Sequence, residues 1–232
     1  MTGPERTVEF ADAREAADLG AFLARLIHYD RAAAVRLQAG GGALAVFGRP
    51  ASFEVLAIRT ARLAARYAFD VTVSAGELLE AIDETAGSVV VPTAVTGPPW
   101  AGVLPPRGGW RQMPGLPGTD AMRRALTVAV AEFRSRDERL TPGDGTRAER
   151  DRIGREIWSR TLGDTHLPLR AVHAARSLGF LRPVRAMVPA AAPVEEQPVA
   201  LLESGRWLRL RTPYGSIAVR REGIGGLTVT PV

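Results

Sequence analysis

Pro98-Pro99-Trp100-Ala101-Gly102-Val103-Leu104-Pro105-Pro106-Arg107-Gly108-Gly109-Trp110 divides this 232-residue chain into a half patterned for strands and a half patterned for helices. Prolines fix φ and remove amide donors while glycines permit positive φ, so the segment is neither a helix nor a central strand. It is a loop, yet it carries two of the chain's four tryptophans together with Val103 and Leu104. Apolar bulk of that kind in a loop requires cover from the protein or from a ligand. Either both indoles lie on a sheet and staple the irregular segment down, or they form a stacking or peptide-binding lip. In the second case Arg107 stands beside the rings as a cation–π or anion-contacting group.

Outward toward the N-terminus, Ser88 to Val91 reads as a short apolar strand, and Ser74 with Glu77 as the capping box of a helix with Leu78, Leu79 and Ile82 inward. Gly87 stops that helix, and Val71-Thr72-Val73 is the strand that delivers it. Its carboxylates Glu77, Glu80, Asp83 and Glu84 read as a solvated face with favourable N-terminal charge, not as a metal cluster. Val55 to Ala61 alternates with a period of two, as do Val35 to Gln38 and Leu44 to Phe47 around Gly40-Gly41-Gly42. That spacing predicts a hairpin followed by a third antiparallel strand, a β-meander. The glycine triplet feeds a strand and not a helix N-terminus, which excludes a phosphate-binding loop. Before it, Asp12 and Glu15 open an amphipathic helix of about four turns, with Leu19, Phe22, Leu23, Leu26 and Ile27 on one stripe. His28 near its end reads as a partner of the helix dipole.

Outward toward the C-terminus, Thr119 is placed to cap a helix from Asp120 with Met122, Leu126, Val130 and Phe133 as its seam. Thr141-Pro142-Gly143-Asp144-Gly145 breaks the chain, and Thr146 with Glu149 opens a second helix with Ile153, Ile157 and Trp158 inward. Its outer face offers the i,i+4 pairs Arg147–Asp151, Asp151–Arg155, Arg152–Glu156 and Glu156–Arg160. The eight arginines and six acids from Arg134 to Arg160 therefore read as a salt-bridged solvent face rather than a nucleic-acid stripe. Gly163 closes that helix, Pro168 fits the first turn of a third, and Gly179 ends it with Phe180 and Leu181 set for a contact after the cap. Pro189, Pro193 and Pro198 make residues 188–198 an extended or flexible connector. A last hairpin follows, Trp207, Leu208 and Leu210 before the turn Thr212-Pro213-Tyr214-Gly215 and Ile217 and Val219 after it. Arg209 and Arg211 share one face of its first strand.

Composition sets the limits. A chain of this length buries about 70–75% of its unfolded surface, enough for one large or two small domains. The absence of cysteine excludes disulfides and thiolate metal sites. No signal-peptide profile opens the chain and no apolar run reaches the ~18 residues of a membrane span, so no membrane and a cytoplasmic location are expected. Every basic residue is arginine, which with the Ala, Gly and Pro usage reads as the mark of a GC-rich genome. Residues 1–118 carry 11 Arg against 12 acids, 119–183 carry 13 against 9, and 184–232 carry 6 against 4. The excess lies beyond the opening loop and directs an anionic partner there.

Three function classes follow. The preferred one is a non-enzymatic interaction module, docking a protein partner or a second copy through Trp100, Arg107, Trp110, Trp207 and Tyr214, residue types that commonly anchor interfaces. The alternative is a winged-helix-like nucleic-acid binder, with 168–178 as the reading helix, Arg170, His173 and Arg176 aimed outward, and the hairpin within 199–221 as the wing with Arg209 and Arg211. The third is an enzyme without a recognisable motif. His28, His166 and His173 lack metal-ligand spacing and no G-x-S-x-G occurs, so no catalytic residue, metal or cofactor is assigned.

The phrases Asp70-Val71-Thr72-Val73-Ser74-Ala75 before Glu77-Leu78-Leu79, Leu104 to Trp110, Leu178-Gly179-Phe180-Leu181, and Trp207-Leu208-Arg209-Leu210 before Tyr214-Gly215 resemble a family of uncharacterised actinobacterial proteins. The resemblance spans most of the chain and implies no activity. The fold expected is α+β, an antiparallel β-meander with packed helices (1–118), a three-helix segment (119–183), and a connector with a basic C-terminal hairpin (184–232). That hairpin either rejoins the first sheet or stands as a wing.

Overall fold

The computed structural model describes residues 6–140, 146–182 and 199–221. The chain runs β1 (Arg6–Glu9), α1 (Ala13–Tyr29), β2 (Ala34–Gly40), β3 (Ala43–Gly48), β4 (Leu56–Arg62), β5 (Phe69–Ser74), α2 (Ala75–Glu80), β6 (Ile82–Asp83) and β7 (Ser88–Val91). After a 3₁₀ turn (Pro99–Gly102) come β8 (Arg111–Met113), α3 (Thr119–Glu138), α4 (Thr146–Ser159), α5 (Leu169–Ser177), β9 (Ala200–Ser204), β10 (Trp207–Thr212) and β11 (Gly215–Arg220). The fold is α+β, with every strand pair antiparallel.

Eight strands form one sheet in the order β5-β2-β3-β4-β11-β10-β9-β8, beside a small sheet β1-β7-β6. The meander β2-β3-β4 forms as its alternation demands. The final hairpin rejoins it, with Ser216 opposite Ile58, Ile217 opposite Ala57 and Ala218 opposite Leu56. A wing is thereby excluded, because β10 and β11 lie inside the sheet with strands on both sides.

Strand alternation divides the sheet into two faces. On one, Val35, Leu37, Leu44, Val46, Ala57, Leu208, Leu210, Ile217 and Val219 meet the apolar stripe of α1 (Leu19, Phe22, Leu23, Leu26) and the buried residues of α5. α1 opens as expected, Asp12 accepting from the Glu15 amide at 3.0 Å. α5 ends as expected too. Gly179 has φ 77°, the Phe180 amide donates back to Ala175, and the Phe180 ring stacks on Phe22 at 5.6 Å. That ring also lies against Gly215, where a Cβ would come within 2.6 Å of it. Only glycine lets the α5 cap and β11 approach so closely.

Several local expectations are corrected. α2 ends at Glu80, and Ile82–Asp83 pairs with β7 as a strand, so Ile82 is not on the helix's inward stripe and Gly87 does not close it. Pro168 is the N-cap of α5 and not part of its first turn. Gly118, not Thr119, occupies the N-cap of α3. Of the four pairs expected along α4, Glu156–Arg160 forms (3.1 Å), but Arg152 turns to Glu149. The strongest partners come from α3: Arg136, Glu156, Arg160 and Glu132 close a ring of ion pairs between the helices that draws the Glu156 carboxyl down to about 2. His173 does not aim outward but packs between Phe53 and Trp158, ring centres 5.0 and 4.6 Å away. Burial, then the charge of Arg176, lowers its pKa. The Thr146 side chain and the 188–198 connector lie outside the described residues.

One cation sits on the core face. Arg59 of β4, 7% exposed, donates to the Tyr214 carbonyl (3.1 Å), to Glu15 (3.2 Å) and to Asp18 (3.3 Å). Burial lowers its pKa and the two carboxylates oppose that. Arg62 also binds Glu15, and Arg182 binds Asp18 while covering the Tyr214 ring at 3.9 Å. Arg59→Ala removes the cation between two largely buried carboxylates and is expected to lower unfolding free energy by about 3 kcal/mol in urea titration. A loss under about 1 kcal/mol would mean that Arg62 and Arg182 suffice.

Candidate functional site

The other face of the sheet carries Asp70 and Thr72 of β5, Arg36, Gln38 and Gly40 of β2, Ala43, Ala45 and Phe47 of β3, and Leu56, Ile58 and Thr60 of β4. Ser216 and Ala218 of β11 continue it, followed by Trp207, Arg209 and Arg211 of β10. No helix covers it. The Pro/Gly/Trp segment does, running as a strap from the β5 edge to the β9 edge.

Each step of the strap has a physical anchor. The Val95 amide donates to the Thr72 carbonyl at 2.9 Å. A Cβ at Gly97 would stand 3.2 Å from the Thr72 hydroxyl, so the backbone passes close over that side chain. Arg36 pairs with Asp70 (2.7 and 2.8 Å) and donates to the carbonyl of buried Ala101. Trp100 and Leu104 pack with Trp207 on Phe47, Leu56, Ile58 and Ala218, a second apolar cluster apart from the main core. At the far end the Trp110 indole donates to the Pro106 carbonyl (3.0 Å), and Ser204 donates to Gly108 (3.3 Å). The chain then adds β8 to the edge of β9.

The strap covers only part of this face. Beside it lies a groove of about 310 Å³ lined by Gln38, Gly40, Ala43, Ala45, Phe47, Ile58 and Thr60 below and Pro105, Pro106, Arg107 and Arg209 along its border. Arg209 stands 5.7 Å from the Trp110 ring centre. The Nε atoms of Arg209 and Arg211 are buried without a hydrogen-bond partner. Burial, reinforced by the positive charge of Arg211, lowers the Arg209 pKa.

Of the residues singled out in the sequence, Trp100, Arg107, Trp110, Trp207, Arg209 and Arg211 converge on this strap-bordered face. Tyr214 does not. It is 8% exposed and packed under Arg182 on the core side, so it is no surface anchor. Arg170 and Arg176 belong to α5, across the sheet from the groove, and without a wing they form no paired reading surface with Arg209 and Arg211. Among the described residues, no three His, Asp or Glu side chains are grouped to hold a metal ion, and no helix is long and apolar enough to cross a membrane.

Gln38, Thr60, Arg36 and Asp70 escaped the sequence reading. Their signal was present, since Arg36 and Gln38 alternate with Val35 and Leu37, but only the pairing of β2 with β5 shows that they face Thr72 and Asp70 under a loop.

Fold and site define an α+β protein whose single large sheet bears helices on one face and a strap with an open groove on the other. Residues 105–224 match the domain of unknown function DUF8185, and residues 3–102 match the domain of unknown function DUF8010. The chain belongs to the DUF8185 family. No curated protein and no solved structure matches it.

The Arg36 hydrogen bonds, then Gln38, hold the Asp70 carboxyl below its usual range, with desolvation opposing. A depressed carboxylate stabilises the fold above the unfolded value of about 4 and loses that contribution as pH falls through the lower folded value. The stability difference between the native chain and Asp70→Asn is therefore expected to be constant above about pH 4 and to shrink below it. Acid titration followed by tryptophan fluorescence measures this, and a difference that persists undiminished to the lowest pH would show that the pin is not electrostatic.

Proposed function

We propose that this chain is a binding module whose ligand carries negative charge and lies in the groove beside the strap. One observation carries the reading. Arg209 and Arg211, two residues apart on one face of β10, both have a buried Nε without a partner, and no carboxylate pairs with either among the described residues. Two adjacent, partly desolvated cations repel each other, and an anion bound against their terminal NH groups offsets the repulsion. Arg107 on the border adds a third cation.

The test is thermal unfolding in sodium sulfate against sodium chloride at equal ionic strength. Sulfate stabilises folds in general, so the quantity that matters is the part of the rise that Arg209→Met/Arg211→Met loses. That part is expected to be about 2–4 °C. An equal rise in the double variant overturns the proposal.

A second reading has its own support. Val95 and Val103, 40% and 51% exposed, are two of the exposed large hydrophobics among the described residues, and both lie on the strap. A protein partner or a second copy of the chain docking on the outer edge of the strap would cover them. Sedimentation of the chain at rising concentration is expected to show association that Val103→Ser weakens several-fold, and a monomer at all concentrations removes self-association.

A further inference from the structure

We infer that the groove takes a small hydroxylated aromatic carboxylic acid, with its acid group at Arg209 and Arg107 and its hydroxyl at Gln38. The inference rests on the anion reading above and adds to it a shape and a second polar contact.

The shape comes from the floor. Gly40, Ala43 and Ala45 contribute at most a methyl group each, and a Cβ built on Gly40 meets nothing within 4 Å. Phe47 and Ile58 line the floor, and the rings of Pro105 and Pro106 form the facing border. A floor with no side chain beyond a methyl at three positions, bordered by proline rings, suits a planar ring, which also has few rotors to immobilise. About 310 Å³ lies at the small end of ligand-pocket volumes.

The second contact follows from hydrogen-bond chemistry. Gln38 Nε2 donates to Asp70 at 2.9 Å. An ionised carboxylate only accepts, so the amide nitrogen must face Asp70 and the amide oxygen is left to face elsewhere. That oxygen has no partner among the described residues, while the Thr60 hydroxyl lies in the same cross-strand row, Gln38 opposite Ala45 and Ala45 opposite Thr60. The groove thus presents an acceptor at the β2 side and guanidinium donors at its border with the strap. A ligand with a hydroxyl at one end and an acid at the other satisfies both. A carboxylate fits the slot better than a phosphate because its two acceptor oxygens can lie in the plane of the ring, whereas a tetrahedral phosphate projects oxygens out of that plane.

Calorimetric titration of the full chain with 4-hydroxybenzoate, 4-hydroxyphenylacetate and 4-hydroxycinnamate, against benzoate, phenyl phosphate and acetate, tests the assignment. At least one hydroxylated acid is expected to bind tenfold or more tightly than acetate and to lose about tenfold when its hydroxyl is absent. Gly40→Leu, whose Cβ meets nothing within 4 Å and whose side chain extends over the floor, is expected to abolish that binding while keeping the sulfate stabilisation. If sulfate stabilises through Arg209 and Arg211 but the aromatic acids bind no better than acetate, the ligand class is wrong and the anion site stands. Tighter binding of phenyl phosphate than of any carboxylate, or aromatic binding unchanged in Gly40→Leu, also overturns it. No response to any anion removes both proposals.

Discussion

The guanidinium of Arg59 is the constraint on which the two halves of the chain depend. It stands on the core face of β4, where a charge is expensive to bury, and it is held there by Glu15 and Asp18 of α1 and by the carbonyl of Tyr214 at the turn of the last hairpin. Those partners come from two parts of the sequence, each more than 40 residues from Arg59. The β4–β11 junction itself spans only three registered pairs, so the pairing gains its specificity from the side-chain knot above it as well as from its ladder. The knot fixes how the region matching DUF8010 meets the region matching DUF8185, and one sheet runs through both.

The second face inherits its geometry from that junction. Phe47, Leu56 and Ile58 come from one side of it and Ala218 and Trp207 from the other, and the strap packs Trp100 and Leu104 across both. A shift of β11 by one residue would turn Ala218 toward the helices and put Ile217 beneath the indole. The open part of the face is a consequence of side-chain size. Large residues at positions 43 and 45 would let the face close against Pro105 and Pro106, whereas alanines leave a groove.

Local chemistry was legible in the sequence and non-local pairing was not. The Asp12 and Ser74 caps, the Gly179 stop and the meander follow from side chains within a few residues of one another, and all form. The side of β11 on which another strand would pair is not encoded locally, because alternation fixes which residues face the core but not which strand lies alongside. β8 is three residues long, too short for a period to register, and exists because β9 offers it an edge. The α4 arginines were assigned to i,i+4 partners, but two antiparallel helices place Arg136 closer to Glu156 than any such pairing on α4 suggests. At the site, the Trp and Arg residues were visible as types that need partners, while Gln38 and Thr60 looked like ordinary solvent-facing strand positions.

Charge shows most clearly how position decides meaning. The helical segment has the largest arginine excess in the sequence, yet several of its arginines are matched, Arg136 and Arg160 by Glu132 and Glu156, Arg150 by Asp137, Arg152 by Glu149. An ion pair exposed to water neutralises a guanidinium at little energetic consequence and leaves it nothing to offer a ligand. Arg209 and Arg211 are only two residues, but they sit on a strand face where water is partly excluded, and no carboxylate pairs with either among the described residues. A cation in that position raises the energy of the protein on its own, so in the anion binding proposed for this face affinity would be set by the protein's unmet electrostatics more than by net charge.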